Sequence, residues 1–159
     1  MDRADVHKGD ILILNTGYHK YGWDQPEADE VRYMIKHPGP AKEFAVWCKE
    51  MDIKWLGVDC GSADHPMNTK IREWMPKEAR HADKYLKGKY NGKGLDDFFP
   101  EDDYQIMHTL LFPHNIIHIE CVAGDIDKLL GERVTIGCFP WRWIGGESCI
   151  CRLVAFAEE

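Results

Sequence analysis

The residues best suited to chemistry lie close together, between positions 108 and 120. This stretch reads HTLLFPHNIIHIE and contains His108, His114, His118 and Glu120. Imidazole nitrogens and carboxylate oxygens are the ligands that zinc and manganese accept, and iron accepts them too. The stretch therefore predicts part of a metal site. The sequence holds no second dense group of such residues, so a complete catalytic metal site is hard to assemble from this chain alone.

A short helix, a turn and a strand must position these side chains. The pattern predicts a helix over 104–112 that carries His108 and a strand over 116–120 that carries His118 and Glu120. Side chains alternate between the two faces of a strand, so His118 and Glu120 share a face and can reach one ion. The alternative is an accidental spacing, because a chain with eight histidines and many acidic residues contains such pairs by chance.

The rest of the chain predicts one α/β domain. A length of 159 residues suits a single domain with its own core. The order of strand, helix and strand indicates layered α/β architecture, and the charged region 69–99 is interpreted as an insertion. The predicted strands are 11–14, 54–59, 116–120, 133–139 and 149–156, and the predicted helices are 38–52, 77–86, 104–112 and 126–130.

A loop of small and polar residues follows the second predicted strand. It reads CGSADHP and contains Ser62 and Asp64. Ligand sites in α/β sheets favour the carboxyl ends of strands, so this loop is a candidate pocket wall. The alternative is ordinary turn chemistry, for which serine and aspartate are common residues.

Composition narrows the class of protein further. Apolar residues make up 44% of the chain, charged residues make up 30%, and the formal net charge is -7. This balance predicts a globular protein, and the acidic charge disfavours a nucleic-acid partner. The sequence contains no apolar stretch long enough for a signal peptide or a membrane span, so a soluble, cytoplasmic protein is expected. The six cysteines form no C-x-x-C pair and are interpreted as small, reduced core residues.

Four segments follow one another along the chain and can be considered together. They read GDILILNTGYHKYGW, HPGPAKEFAVWCKEMDIKWLGVDCGSADHP, MHTLLFPHNIIHIE and FPWRWIGGESCICRLVAF. In this order they resemble the carboxyl-terminal part of the cyclase family of metal-dependent hydrolases, which includes isatin hydrolase and bacterial kynurenine formamidase, an arylformamidase. The resemblance covers nearly all of the chain outside 69–99. It implies an α/β fold with a swivelling β/α/β-type mixed sheet and packed helices.

The resemblance also implies roles for individual residues. In bacterial kynurenine formamidases a histidine and a glutamate in this helix and strand bind a second metal, and His108 and Glu120 match their spacing. The metal would be zinc or manganese. His114 and His118 do not match family ligands, so His118 is expected to line the site or face solvent and His114 to lie in the turn. Ser62 and Asp64 match the segment that lines the active site, while the catalytic residues stay unknown.

One departure from the family is large. The defining H-x-G-T-H-x-D segment, which supplies the main metal ligands and a catalytic histidine, does not occur in this sequence. The chain is therefore expected to be a split subunit or a fragment of a hydrolase that acts on an amide or lactam through metal-activated water. The missing ligands would come from a second polypeptide or an upstream segment, in an oligomer. The alternative is a noncatalytic binding or structural subunit that keeps the fold.

Overall fold

A computed structural model describes residues 5–157. The chain forms two compact units, one that ends at Ala123 and one that begins at Gly124. The combination of helices with a parallel and an antiparallel sheet confirms the predicted α/β class. The strands are β1 (Ile11–Leu14), β2 (Trp55–Val58), β3 (Ile117–Ile119), β4 (Thr135–Pro140) and β5 (Cys151–Phe156). The α-helices are α1 (Glu30–Ile35), α2 (Lys42–Glu50), α3 (Ile71–Trp74), α4 (Pro76–Lys89), α5 (Leu95–Phe98) and α6 (Ile106–Leu111).

The first unit is built on a parallel sheet in the order β1, β2, β3. Its register places Ile11 and Ile117 on either side of Trp55. The three strands point the same way, so the residues that follow them lie at one edge of the sheet. This edge is where ligand sites of parallel sheets form.

The apolar residues of β2 explain why it is the middle strand of the parallel sheet. Its sequence, WLGV, is apolar throughout, as expected for a strand that is covered on both faces. Helix α2 packs against it through a stripe of apolar residues at helical spacing, of which Ala45 and Cys48 are fully buried. Met107 and Leu111 of α6 complete the same core cluster. These contacts fix helix α6 beside the sheet. His108, the residue after Met107, is thereby held at a defined place.

The region 69–99 carries α3, α4 and α5 and packs on a cluster of its own. Met67, Leu95 and Phe99 form the buried centre of this second cluster. Proline at the first position of α4 suits a helix start, because the missing N–H would have no intrahelical partner there. The charged surface that the sequence indicated corresponds to α4, in which no residue is fully buried.

Gly39 permits a backbone contact on which the first unit depends. A Cβ atom added at Gly39 would lie 2.3 Å from Cα and 2.4 Å from N of His65. We expect Gly39→Ala to lower the free energy of unfolding by about 1–3 kcal/mol, as overpacking does. Urea titration of the full chain would measure it. The control is Gly88→Ala, since a Cβ at Gly88 in α4 meets nothing within 4 Å and should stabilise the helix by up to about 1 kcal/mol. Equal effects of the two substitutions would contradict the steric explanation.

The second unit is an antiparallel pair of strands. Strands β4 and β5 pair with Thr135 opposite Phe156 and Pro140 opposite Cys151. The expectation of core cysteines is right for Cys48 and Cys60, which are buried, but wrong for Cys121 and Cys151, which are exposed. Cys151 lies on a two-stranded sheet whose side chains are half-buried at most. Within residues 5–157 no helix has the length and apolarity needed to cross a membrane.

Candidate metal centre

Three side chains converge at the carboxyl edge of the parallel sheet. His108 comes from α6, His118 from β3, and Glu120 from the residue that follows β3. Each can contribute one ligand atom, and these atoms lie within 4.8 Å of one another. Ligands around a tetrahedral ion at about 2.1 Å are separated by roughly 3.4 Å, so modest side-chain rotation brings the three atoms to one ion. The histidine and the glutamate that the sequence singled out therefore lie together.

His108 is oriented by a buried carboxylate. Its Nδ1 donates a hydrogen bond to Oδ2 of Asp64 over 2.6 Å, and Asp64 is fully buried. The other oxygen of Asp64 accepts the backbone N–H of Met107, an otherwise unpaired donor in the first turn of α6. The Nε2 atom of His108 is left facing Glu120, 3.7 Å from its Oε1. In the neutral ring, Asp64 thus sets the tautomer that leaves Nε2 without a proton and able to bind a metal.

The same hydrogen bond changes the acidity of His108. Bonding to Asp64 raises the pKa of His108 above its usual 6.5, and burial opposes this change. A carboxylate behind an imidazole ring also makes the ring a more basic ligand. A metal-binding histidine and its supporting carboxylate would have this arrangement.

Glu120 is held by the loop after β2. Its Oε1 accepts hydrogen bonds from the backbone N–H of Ala63, at 2.8 Å, and from the hydroxyl of Ser62, at 3.2 Å. Ser62 also accepts the backbone N–H of Asp64. The loop that the sequence marked as a pocket wall therefore holds both side chains, with Ser62 bonded to Glu120 and Asp64 bonded to His108.

His118 differs from His108 and Glu120 because its buried ring nitrogens form no hydrogen bond with residues 5–157. Both ring nitrogens are buried, and neither has a hydrogen-bond partner among residues 5–157. The ring packs against those of His108 and Phe112, each with a centroid distance of 4.8 Å. Burial, with the neighbouring His108, lowers the pKa of His118 to about 4, so the ring is uncharged near neutral pH. A neutral imidazole is the form that binds metals.

The donor set therefore fits a divalent ion. A buried, unpaired imidazole nitrogen costs about 1–3 kcal/mol unless a partner satisfies it, and a metal would be that partner for His118. Two imidazoles and one carboxylate suit zinc or manganese, and three protein ligands leave a coordination position open, as in catalytic sites. His114 is outside the group, since it is exposed and donates from Nδ1 to the carbonyl of Leu110.

The role of Asp64 gives a prediction. In Asp64→Asn the amide NH₂ faces Nδ1 of His108, which then accepts a hydrogen bond and moves its proton to Nε2. We expect zinc affinity to fall about 10–100-fold, as when such a supporting carboxylate is lost. Competition with a chromophoric zinc chelator would measure it. Asp102→Asn is the control, because Asp102 is exposed. An unchanged affinity in Asp64→Asn would show that the carboxylate does not prepare His108.

A second polar group at the same edge was not predicted. Asp59, directly after β2, is fully buried and accepts hydrogen bonds from the backbone N–H and hydroxyl of Thr16 and from the backbone N–H and Nδ1 of His19. This group ties the loop after β1 to the end of β2. An aspartate that ends an apolar strand, with a polar turn after the neighbouring strand, was the available signal. The shared strand face of His118 and Glu120 indicated that both could reach one ion, whereas the family resemblance implied that His118 only lines the site or faces solvent; the structure brings His118 together with His108 and Glu120.

Comparisons with known proteins give one match. Residues 1–65 match a family model described as a putative cyclase. The matched part contains β1, β2 and the loop with Ser62 and Asp64, whereas His108 and Glu120 lie beyond it. No curated protein and no solved structure matches the chain significantly. The amino-terminal part of the chain is therefore similar to the cyclase family.

Proposed function

We propose that this chain is a component of a metal-dependent hydrolase of the cyclase family. It would act on the carbon–nitrogen bond of an amide or cyclic amide, as the kynurenine formamidase and isatin hydrolase types do. The ligands that it would contribute are His108, His118 and Glu120, and the ion would be zinc or manganese. Support comes from the cyclase match over residues 1–65 and from the donor set that converges at the sheet edge.

The single observation that carries the proposal is the burial of the two ring nitrogens of His118 without a hydrogen-bond partner among residues 5–157. Buried polar atoms are normally paired unless a ligand fills that role. An apolar residue of similar size would pack there without the cost of desolvation. The proximity of His108, already oriented by Asp64, and of Glu120 makes a metal ion the simplest partner for His118.

The chain's own residues would prepare the site before any substrate arrives. Asp64 holds the His108 ring in the tautomer that exposes a lone pair, and the loop 62–64 fixes the Glu120 carboxylate. When bound, a divalent metal supplies Lewis acidity, which lowers the pKa of water and polarises a carbonyl group. Three protein ligands from this chain leave room for ligands from elsewhere.

A partner is part of the proposal. The H-x-G-T-H-x-D segment would be carried by a second polypeptide or by an upstream part of a longer chain, and it would bring the main ligands and a catalytic histidine. Among the residues that the structure describes, β1 and β3 are the edge strands of the parallel sheet, and unpaired edges favour association. The active form would accordingly be an oligomer.

Metal content tests the proposal directly. The full chain, incubated with zinc or manganese and desalted, should retain metal in mass spectrometry of the native protein. His108→Ala and Glu120→Ala should each lose it, whereas His114→Ala, an exposed histidine three residues beyond α6, should retain it. Equal metal content in all four proteins would refute the metal site.

Activity provides the second arm of the test. The metal-loaded chain, expressed with its genomic neighbours and purified as a complex, should hydrolyse formanilide and lose this activity with a chelator. Hydrolysis that survives chelation would refute metal-dependent catalysis. A stable, metal-free and monodisperse chain without any copurifying polypeptide would instead support the noncatalytic binding subunit.

A further inference from the structure

Three of the six cysteines lie in the second unit, outside the candidate metal centre. Cys138 is in β4, Cys151 is in β5, and Cys149 lies two residues before Cys151. All three are free thiols. Burial in a core does not account for them, because Cys151 is exposed and the other two are half-buried. Neighbouring thiols that reach the surface are candidates for thiol–disulfide chemistry.

The register of the strand pair places Cys138 and Cys151 on one face. Cys138 lies opposite Leu153, and Pro140 lies opposite Cys151. Directly opposed residues, and residues two apart on one strand, share a face. Cys138 and Cys151 therefore point to the same side and are diagonal neighbours. Their thiols are close enough to interact directly, and burial together with this interaction raises the pKa of Cys138 to about 11.

A bond between these diagonal neighbours requires a small movement of the strands. Diagonal Cα atoms lie about 7–8 Å apart, whereas disulfides join Cα atoms about 4.4–6.8 Å apart, so the strands must approach by about 1 Å. A two-stranded sheet is marginally stable and can move in this way. Pro140, opposite Cys151, has no N–H to donate to β5. A bond closed under such constraint is readily reduced, which suits a reversible bond.

Cys149 is the nearest competitor for Cys138. It affects the pKa of Cys138 less than Cys151 does. Its Sγ donates to the carbonyl oxygen of Trp141 at 3.4 Å, and it precedes β5, so the paired strands do not hold it against Cys138. Cys149 is therefore the matched control for Cys151.

We propose that Cys138 and Cys151 form a reversible dithiol–disulfide pair, which glutathione disulfide oxidises and glutathione reduces. The exposed Cys151, as a thiolate, attacks one sulfur of glutathione disulfide, forms a mixed disulfide and releases one glutathione. Cys138 then attacks the Cys151 sulfur, which forms the bond between the strands and releases the second glutathione. Two cysteine thiols are oxidised, one glutathione disulfide is reduced, and the two cysteine protons end on the two glutathione thiols.

The bond would make the strand pair more stable. It closes the connection 141–150 into a loop, which removes conformations that the open chain can adopt. The amides of 135–140 and 151–156 should therefore exchange up to about a hundredfold more slowly in the oxidised chain, the effect expected for a loop of this length.

Peptide mapping tests the pairing. The full, folded chain is incubated with a chelator in a glutathione buffer rich in the disulfide, its remaining thiols are alkylated, and a tryptic digest is analysed by mass spectrometry. Cleavage after Arg133, Arg142 and Arg152 separates Cys138, in peptide 134–142, from Cys149 and Cys151, in peptide 143–152. We expect the two peptides to be joined. Cys151→Ser should abolish the joined product and Cys149→Ser should retain it.

Four outcomes would overturn the proposal. Joined peptides that persist in Cys151→Ser, or vanish in Cys149→Ser, would assign the bond to Cys149. Oxidation that stops at the mixed disulfide, or leaves every thiol open to alkylation, would show that the strands do not close. A bond that excess glutathione fails to reduce would refute reversibility, and unchanged exchange at β4 and β5 would refute stabilisation. Failure of metal binding at His108 leaves these results unaffected, since a chelator is present throughout.

Discussion

Replacing His118 with phenylalanine should weaken metal binding and, at the same time, stabilise the metal-free protein. We expect zinc affinity to fall about a hundredfold or more, since loss of a ligand should exceed the 10–100-fold effect of losing a supporting residue. We expect the free energy of unfolding of the metal-free chain to rise by about 1–2 kcal/mol. Opposite signs for the two effects distinguish a ligand from a structural residue.

The physical reason lies in the surroundings of the ring. His118 packs between aromatic rings, and its two buried nitrogens have no partner among residues 5–157. Phenylalanine has nearly the same shape, so it keeps the packing against Phe112 and removes the unpaired polar atoms. The folded protein without metal therefore gains stability, while the ion loses one of its three ligands.

The measurement needs two titrations of each protein. Chelator competition gives the zinc affinity, and urea unfolding in the presence of a strong chelator gives the stability of the metal-free form. His114→Phe is the matched control, because this exposed histidine pairs with the Leu110 carbonyl and its loss should change neither zinc affinity nor, by more than about 0.5 kcal/mol, stability. A His118→Phe protein that is less stable and binds zinc normally would assign the ring to core packing.

Replacing Asp59 with alanine should cost about 3–5 kcal/mol of stability, the range for removing one partner of a buried polar pair. Its carboxylate accepts four hydrogen bonds from Thr16 and His19, and all of these donors lose their acceptor together. Such a loss is a large part of the 5–15 kcal/mol that stabilises a typical domain. The turn after β1 should become mobile as well, because this carboxylate attaches it to the sheet.

Urea unfolding of the full chain would measure the loss. Asp52→Asn is the control, because Asp52 lies before the same strand and forms an exposed ion pair with Lys54 at 2.9 Å, which contributes at most about 1 kcal/mol. Hydrogen exchange should show faster exchange at the amides of Thr16 and His19 in Asp59→Ala. A loss no larger than that of the control would mean that water replaces the carboxylate at little cost.

The Asp59 carboxylate should also make the free energy of unfolding depend on pH in the acidic range. Burial alone would raise the pKa of Asp59, but hydrogen bonds from Thr16 and His19 outweigh burial and lower it below its usual 3.8. The stabilisation by the ionised carboxylate is therefore complete above the unfolded-state pKa and is lost as the pH falls through the lowered folded-state pKa. The stability advantage of the unaltered chain over Asp59→Asn should be constant above about pH 5 and shrink progressively as the pH falls below about 4, the unfolded-state pKa. An advantage independent of pH would contradict this origin.

The local elements of this protein follow from local sequence. The apolar runs at 11–14 and 55–58, and the helical spacing of apolar residues in α2, predicted elements that the structure contains within a few residues of their expected ends. Periodicity carries this information because a strand and a helix expose side chains to the core at different intervals. The pairing of His108 with Glu120 was implied by the resemblance to the cyclase family, whereas the local strand pattern paired His118 with Glu120.

What the tertiary structure decided is which side chains support one another across the chain. Asp64 and His108 are 44 residues apart, and Asp59 and His19 are 40 apart. No local pattern encodes such pairs, because they arise from the parallel alignment of β1, β2 and β3, which brings the residues after three separate strands to one edge. The same alignment gave His118 its place as a third potential ligand. Sequence alone determined the kinds of ligand, and the packing of the sheet determined which of them can hold one ion.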